Sequence, residues 1–202
     1  MSTVIDPMRA TISLHGLGFI QVQLQGDLRL HVWHPILPRR ACFEHSAIHD
    51  HRFGFVSRVL IGTQRNIEYR AEHRADGTHM TYLHEGPRTP RGGRPWKADG
   101  RINLIEDSIE DIPAGDSYVM KPYRYHQTQP LGDGRVATLM KKTSEVPYGA
   151  RSTCTYGVQP DVDFDRFQWP ALRLWAVVLD VLGSGSLVAE SNQWALQEEA
   201  RA

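Results

Sequence analysis

At 202 residues the chain is long enough to bury a core of its own, and it suits one domain with flanking elements. Lysine plus arginine and aspartate plus glutamate each number 23, so the formal charge is +0 and no overall field draws the protein onto nucleic acid or anionic lipid. Two cysteines, Cys42 and Cys154, exclude a disulfide framework. With no basic-then-apolar leader and no run of ~18 apolar residues, the expectation is a cytoplasmic protein without a membrane segment.

In chain order, Asp6 and Pro7 offer a cap and a first-turn proline, and Gly16 offers a stop. Together they predict a short helix over 7–15, inside an N-terminal extension of residues 1–18. From residue 19 the period changes to two. Ile20, Val22 and Leu24 alternate with Gln21, Gln23 and Gln25, and after the turn at Gly26-Asp27, Leu28, Leu30 and Val32 alternate with Arg29, His31 and Trp33. Further short runs fall at 55–61, 67–69, 80–83, 102–105, 118–120, 136–140 and 153–156, with turn chemistry at Asp76-Gly77 and Gly132-Asp133-Gly134. Many short strands joined by turns predict an all-β antiparallel sandwich or barrel over 19–159 rather than a parallel sheet.

The stretch GPRTPRGGRPWK, residues 86–97, cannot continue a ladder and reads as a loop. Its Arg88, Arg91, Arg94 and Lys97 fit either a lid that grips an anionic substrate or charge that keeps a loop soluble. After Pro160, Phe164, Phe167, Leu172, Trp175, Val178, Leu179 and Leu182 recur at three- and four-residue steps. That pattern predicts a helix over 165–182, ended by Gly183 and docked on the sheet within a unit of residues 160–183, followed by a flexible tail at 184–202.

Chemistry concentrates in the histidines. His49 and His51 precede a strand-like run, and in extended backbone residues two apart share a face, so both imidazoles can reach one ion. A third ligand must come from a neighbouring strand, and His126, beyond Pro122, is the candidate. Among ten histidines, one HxH pair alone is weak evidence of metal. Glu44 and His45 read as loop residues or as partners of the ligands, and His73, His79 and His84 read as a solvated hairpin face rather than a second cluster. Tyr118, Tyr123 and Tyr125 surround His126; Tyr118 and Tyr125 are the candidates to supply a phenol to catalysis, with core packing as the other reading. Met120, Met140 and Trp175 read as packing.

Residues 49–62, HDHRFGFVSRVLIG, resemble the first motif of the cupin proteins, with Gly62 at the hairpin turn, and residues 115–126, GDSYVMKPYRYH, resemble the second. The resemblance implies a cupin-type barrel with a metal held by His49, His51 and His126. It departs from the pattern where the motif glutamate is expected, since Phe55 or Val56 stands there. The three-histidine set with IHDH is similar to the thiol dioxygenase branch, which implies ferrous iron, with zinc, nickel or manganese also suited to such ligands. That branch's crosslinking cysteine would fall at Val56 and its further histidine and tyrosine among Lys141, Lys142 and Thr143, so only the ligand set carries over.

Three neutral ligands leave a cation its full charge, which favours a small anionic substrate. The expected function is therefore an iron(II), dioxygenase-type oxidation, with a metal-dependent isomerase or lyase, or a noncatalytic binding module, as alternatives. A homodimer is a further expectation.

Overall fold

The computed structural model describes residues 10–183. The alternating runs become antiparallel strands in two sheets. In the first, β1 (Thr11–His15), β2 (Phe19–Gln23), β3 (Leu28–Trp33), β10 (Val136–Glu145), β4 (Phe53–Ile61) and β8 (Ser117–Met120) lie in that order. In the second the order is β11 (Ala150–Thr155), β6 (His79–His84), β7 (Lys97–Pro113), β5 (Thr63–His73) and β9 (Tyr125–Pro130).

Residues 48–51 link the two sheets. On one side the His49 amide donates to the His126 carbonyl (2.9 Å) and the His126 amide returns the bond (2.8 Å). On the other, the Asp50 amide donates to the Arg151 carbonyl (2.9 Å) and the Thr153 amide to that of Ile48 (3.0 Å). This stretch therefore joins β9 to β11, the two edges of the second sheet, and then runs directly into β4 of the first. The result is a curled antiparallel half-barrel with an interior faced by both sheets.

Turn chemistry places the strands. Gly62 joins β4 to β5 with φ of 75°, a left-handed conformation open to glycine, and a Cβ there would stand 2.4 Å from the Arg135 carbonyl oxygen. Besides a small cluster of Cys42, Phe43 and Cys154, the described residues form two large apolar layers. One lies inside and includes Phe19, Trp33, Phe53, Phe55, Tyr118, Met120 and Met140, so the two methionines pack as expected. The other lies outside, where Leu14, Ile20, Val22, Leu30 and Val32 meet the helix α1 (Ala171–Leu182).

Two expectations change. Thr11–His15 is a strand rather than helix, paired with β2 from Thr11↔Gln23 to His15↔Phe19. Its sequence, TISLH, carries β-branched residues and no 3.6-residue apolar stripe, so sheet pairing prevails over the helix-end signals at Pro7 and Gly16. Residues 7–9 of that expected helix, and the expected tail at 184–202, lie outside the described residues.

The C-terminal helix starts at Ala171, because Pro170 takes extended geometry (φ −65°, ψ 147°) and biases the residue before it away from helix. Its buried face is Leu174, Trp175, Val177, Val178, Val181 and Leu182, while Phe167 and Leu172 of the expected stripe are 53% and 83% exposed. His126 stands near the start of a strand, β9, as expected, although YHQTQP has no apolar alternation and becomes a strand by pairing with β5. No helix among the described residues is long and apolar enough to cross a membrane.

Candidate metal centre

Extended backbone at 49–51 puts the His49 and His51 rings on one side, edge to face with centroids 4.8 Å apart. His126 arrives on the paired strand β9. Tyr123, at φ 59°, makes the turn out of β8, its amide bonded to the His51 carbonyl (2.8 Å), and this sets His126 directly opposite His49. Its ring centroid lies 4.6 Å from that of His49 and 5.2 Å from that of His51. One ring nitrogen from each of the three falls within 4.8 Å of the others.

The hydrogen bonds identify the nitrogens that face the common point. His49 Nδ1 bonds the Ala47 carbonyl (2.9 Å) and His126 Nδ1 bonds Asn66 Oδ1 (2.8 Å). Each oxygen takes a proton from Nδ1 and leaves the Nε2 lone pair free, the tautomer a metal ligand requires. His51 Nε2 and His126 Nε2 stand 3.1 Å apart, close to the ~3 Å edge that two adjacent bonds of ~2.1 Å at a right angle would span. Burial lowers the pKa of all three rings, further for His51 through His49 and His126 and for His126 through His49, and the Ala47 bond opposes the shift at His49. The imidazoles are therefore neutral ligands. The donor set fits a divalent transition metal and contains no carboxylate.

Of Phe55 and Val56, Phe55 is the one that reaches the histidines: it is buried, with its ring edge-on to His51 at 5.3 Å and 6.1 Å from His126. Phe53 covers His51 from the other side at 5.0 Å. An apolar wall thus stands beside His51, with no carboxylate in the group.

The three histidines line a cavity of about 760 Å³. Tyr118 also lines it, its hydroxyl accepting from Gln64 Nε2 (3.0 Å), and burial pushes its pKa up to about 12 against the pull of bonds to Ser57 and Gln64. Tyr125, the neighbour of His126 along the strand, is not in the lining; burial, with Asp50 nearby, raises its pKa. Tyr123 bonds the Tyr148 carbonyl (3.1 Å). Of the loop arginines, Arg88 and Arg94 reach the cavity wall, whereas Arg91 sits outside the lining and pairs with Asp163 (2.9 Å). Lys97 opens β7 and is exposed. Glu44 closes a short 3₁₀ turn at Ala41–Glu44, and both it and His45 are exposed and away from the cavity.

His84 departs from the expected solvated face. It turns into the cavity wall with Nε2 on Ser152 Oγ (2.9 Å) and its ring against Trp96 (4.6 Å), while His73 is exposed and His79 bonds Thr78. Sequence reasoning also missed Asn66, Gln64, Arg29, His31 and Arg166, all of which contact the histidines or line the cavity. For Arg29 and His31 a signal existed, since they occupy the polar side of a clean alternation. For the others there was none.

The architecture and site define a β-rich, half-barrel protein with three clustered histidines, compatible with a cupin-like metal site. No protein-family profile matches the chain, and no curated protein sequence matches it.

Proposed function

We propose that the chain is a cupin-type, metal-dependent enzyme of small-molecule metabolism that binds ferrous iron through His49, His51 and His126 and carries out an oxygen-dependent oxidation of a small anionic substrate. The observation that carries this reading is the convergence of three neutral imidazoles, without a carboxylate, on one wall of a cavity of about 760 Å³. That volume lies inside the ~300–1,000 Å³ usual for small-molecule sites.

The chemistry that ferrous iron supplies at such a centre is one-electron activation of oxygen. The chain's own residues have separate tasks. His49, His51 and His126 hold the cation from one side, and the bonds from Ala47 and Asn66 fix the rings of His49 and His126. Because the ligands are neutral, the uncancelled charge favours an anionic donor atom on the substrate. Phe53 and Phe55 pack against the ring of His51 and limit its rotation. Tyr118 stays protonated at physiological pH and serves as a hydrogen-bond donor to bound substrate rather than as a base. Arg88 and Arg94 draw the anion to the cavity.

The test is elemental analysis of protein purified without chelator, comparing the parent with His49→Ala and His126→Ala, followed by oxygen-uptake measurements on the iron-loaded parent across a panel of small anionic compounds. Near-stoichiometric metal in the parent and its loss in both variants are expected. Equal metal content in all three would remove the centre on which the proposal stands.

A further inference from the structure

The cavity has a second pole, remote in sequence from the histidine motif. Arg29 and His31 project from β3 on the same face as Trp33, and all three line the cavity. Arg166, in the stretch before α1, comes in past the edge strand β1. Its Nε donates to the Leu14 carbonyl (2.9 Å) and its Nη2 to Ser13 Oγ (3.1 Å). Arg88 comes from the 86–96 loop with Nη1 on the Gly92 carbonyl (2.6 Å), and both it and Arg166 belong to the same lining.

None of these contacts carries negative charge. Arg29 has the face of Phe53, 5.3 Å from its guanidinium carbon, and no hydrogen-bond partner for its buried Nε. The buried Nε2 of His31 also lacks a partner. Glu145 and Asp27 temper the charge of Arg29, and Glu145 is already held by Arg52 (2.5 Å) and Lys142 (3.3 Å). Burial, then Arg88, Arg29 and Arg40, lowers the Arg166 pKa to about 10, and burial with Arg29 and Arg166 holds His31 at about 3. The partly buried Arg29 and Arg166, the exposed Arg88 and an orphaned donor line one space, and the buried share of that charge is costly until an anion enters it.

The geometry points to an anion subsite, formed by Arg29, His31, Arg88 and Arg166, that takes the dianionic phosphate group of a small organic phosphate. This rests on reading the cavity as a substrate site but does not require the metal. A phosphate monoester brings about −1.5 to −2 charge and three terminal oxygens to three guanidiniums, whereas a carboxylate brings one charge and two oxygens. The organic part has a wall to lie on: the Phe19 ring stacks on His15 at 4.4 Å and meets Trp33 at 4.9 Å. The phosphate end anchors the molecule, and its other end extends toward the imidazoles.

Calorimetric titration of the full chain, metal removed by chelator, with phenyl phosphate and with benzoate tests this. The parent is expected to bind phenyl phosphate roughly tenfold or more tighter than benzoate, and Arg29→Gln and Arg88→Gln each to weaken it by about tenfold, the scale of one charge-assisted bond. Leu172→Ala, on the exposed face of α1 and outside the lining, should bind it as the parent does. Arg29→Gln also removes a poorly compensated cation, so its Tm without ligand should rise. Arg88→Gln, in a surface loop, reads the same binding without disturbing a strand. No binding by the parent, equal binding of the two compounds, or binding indifferent to both arginine substitutions would overturn the subsite. Metal loss in His49→Ala and phosphate loss in Arg29→Gln are separate readouts, so this inference and the metal reading fail independently.

Discussion

Each of His49 and His126 gives one ring nitrogen to a protein oxygen and turns the other toward the centre, and for His126 that oxygen is a side chain, Asn66 Oδ1, itself buried. Asn66→Ala removes the partner and frees the ring to rotate or change tautomer. Loss of about 10- to 100-fold in metal affinity is expected, with the fold intact, as read by competition titration against a chelator. At this scale the sequence was only half legible. An HxH pair has a local signature, and so did the third histidine beside Pro122. Asn66 had none, because what gives it meaning is its place on β5 across from β9. The sequence likewise left Phe55 and Val56 equal candidates for the missing glutamate's position. Strand geometry shows which of them reaches the histidines, since neighbours point to opposite faces and Phe55 has the buried one.

At the scale of elements, alternation located most strands but not which side of them was inside. On β3 the apolar Leu30 and Val32 face outward under α1, while Arg29, His31 and Trp33 face the cavity. A helix covering the outer face inverts the usual reading of a half-polar strand, and only tertiary structure shows that cover. The helix itself supplies a sharp test. Leu174 is 1% exposed in the outer apolar layer and Leu172 is 83% exposed two residues away. Leu174→Ala should cost about 2–5 kcal/mol and Leu172→Ala less than about 0.5 kcal/mol in urea denaturation. The stripe predicted from sequence, which includes Leu172 and omits Leu174, would give the reverse order. The 86–96 loop was legible as a loop. That it lies against the segment before α1 was not, since the Arg166 amide bond to the Arg91 carbonyl (3.1 Å) joins residues with no pattern in common.

Taken whole, the molecule holds titratable groups in its interior from both sheets, and this sets its response to acid. His31 on β3 is held at about 3 and His84 on β6 at about 4, in each case chiefly by burial. An imidazole whose folded pKa lies below the unfolded 6.5 takes its proton preferentially in the unfolded chain. Its contribution is complete above about pH 6.5 and is lost as the pH falls toward the folded values. Between about pH 6.5 and 5 each of the two should remove up to about 1.5 kcal/mol of unfolding free energy. Urea titrations at both pH values check this, and stability that stays level across the interval would contradict the burial of both rings.

Residues 48–51 carry two of the three histidines and are also the only stretch among the described residues that ties β9 to β11. A cation held by His49, His51 and His126 would therefore also cinch the seam of the second sheet, and opening that seam would let the ion go.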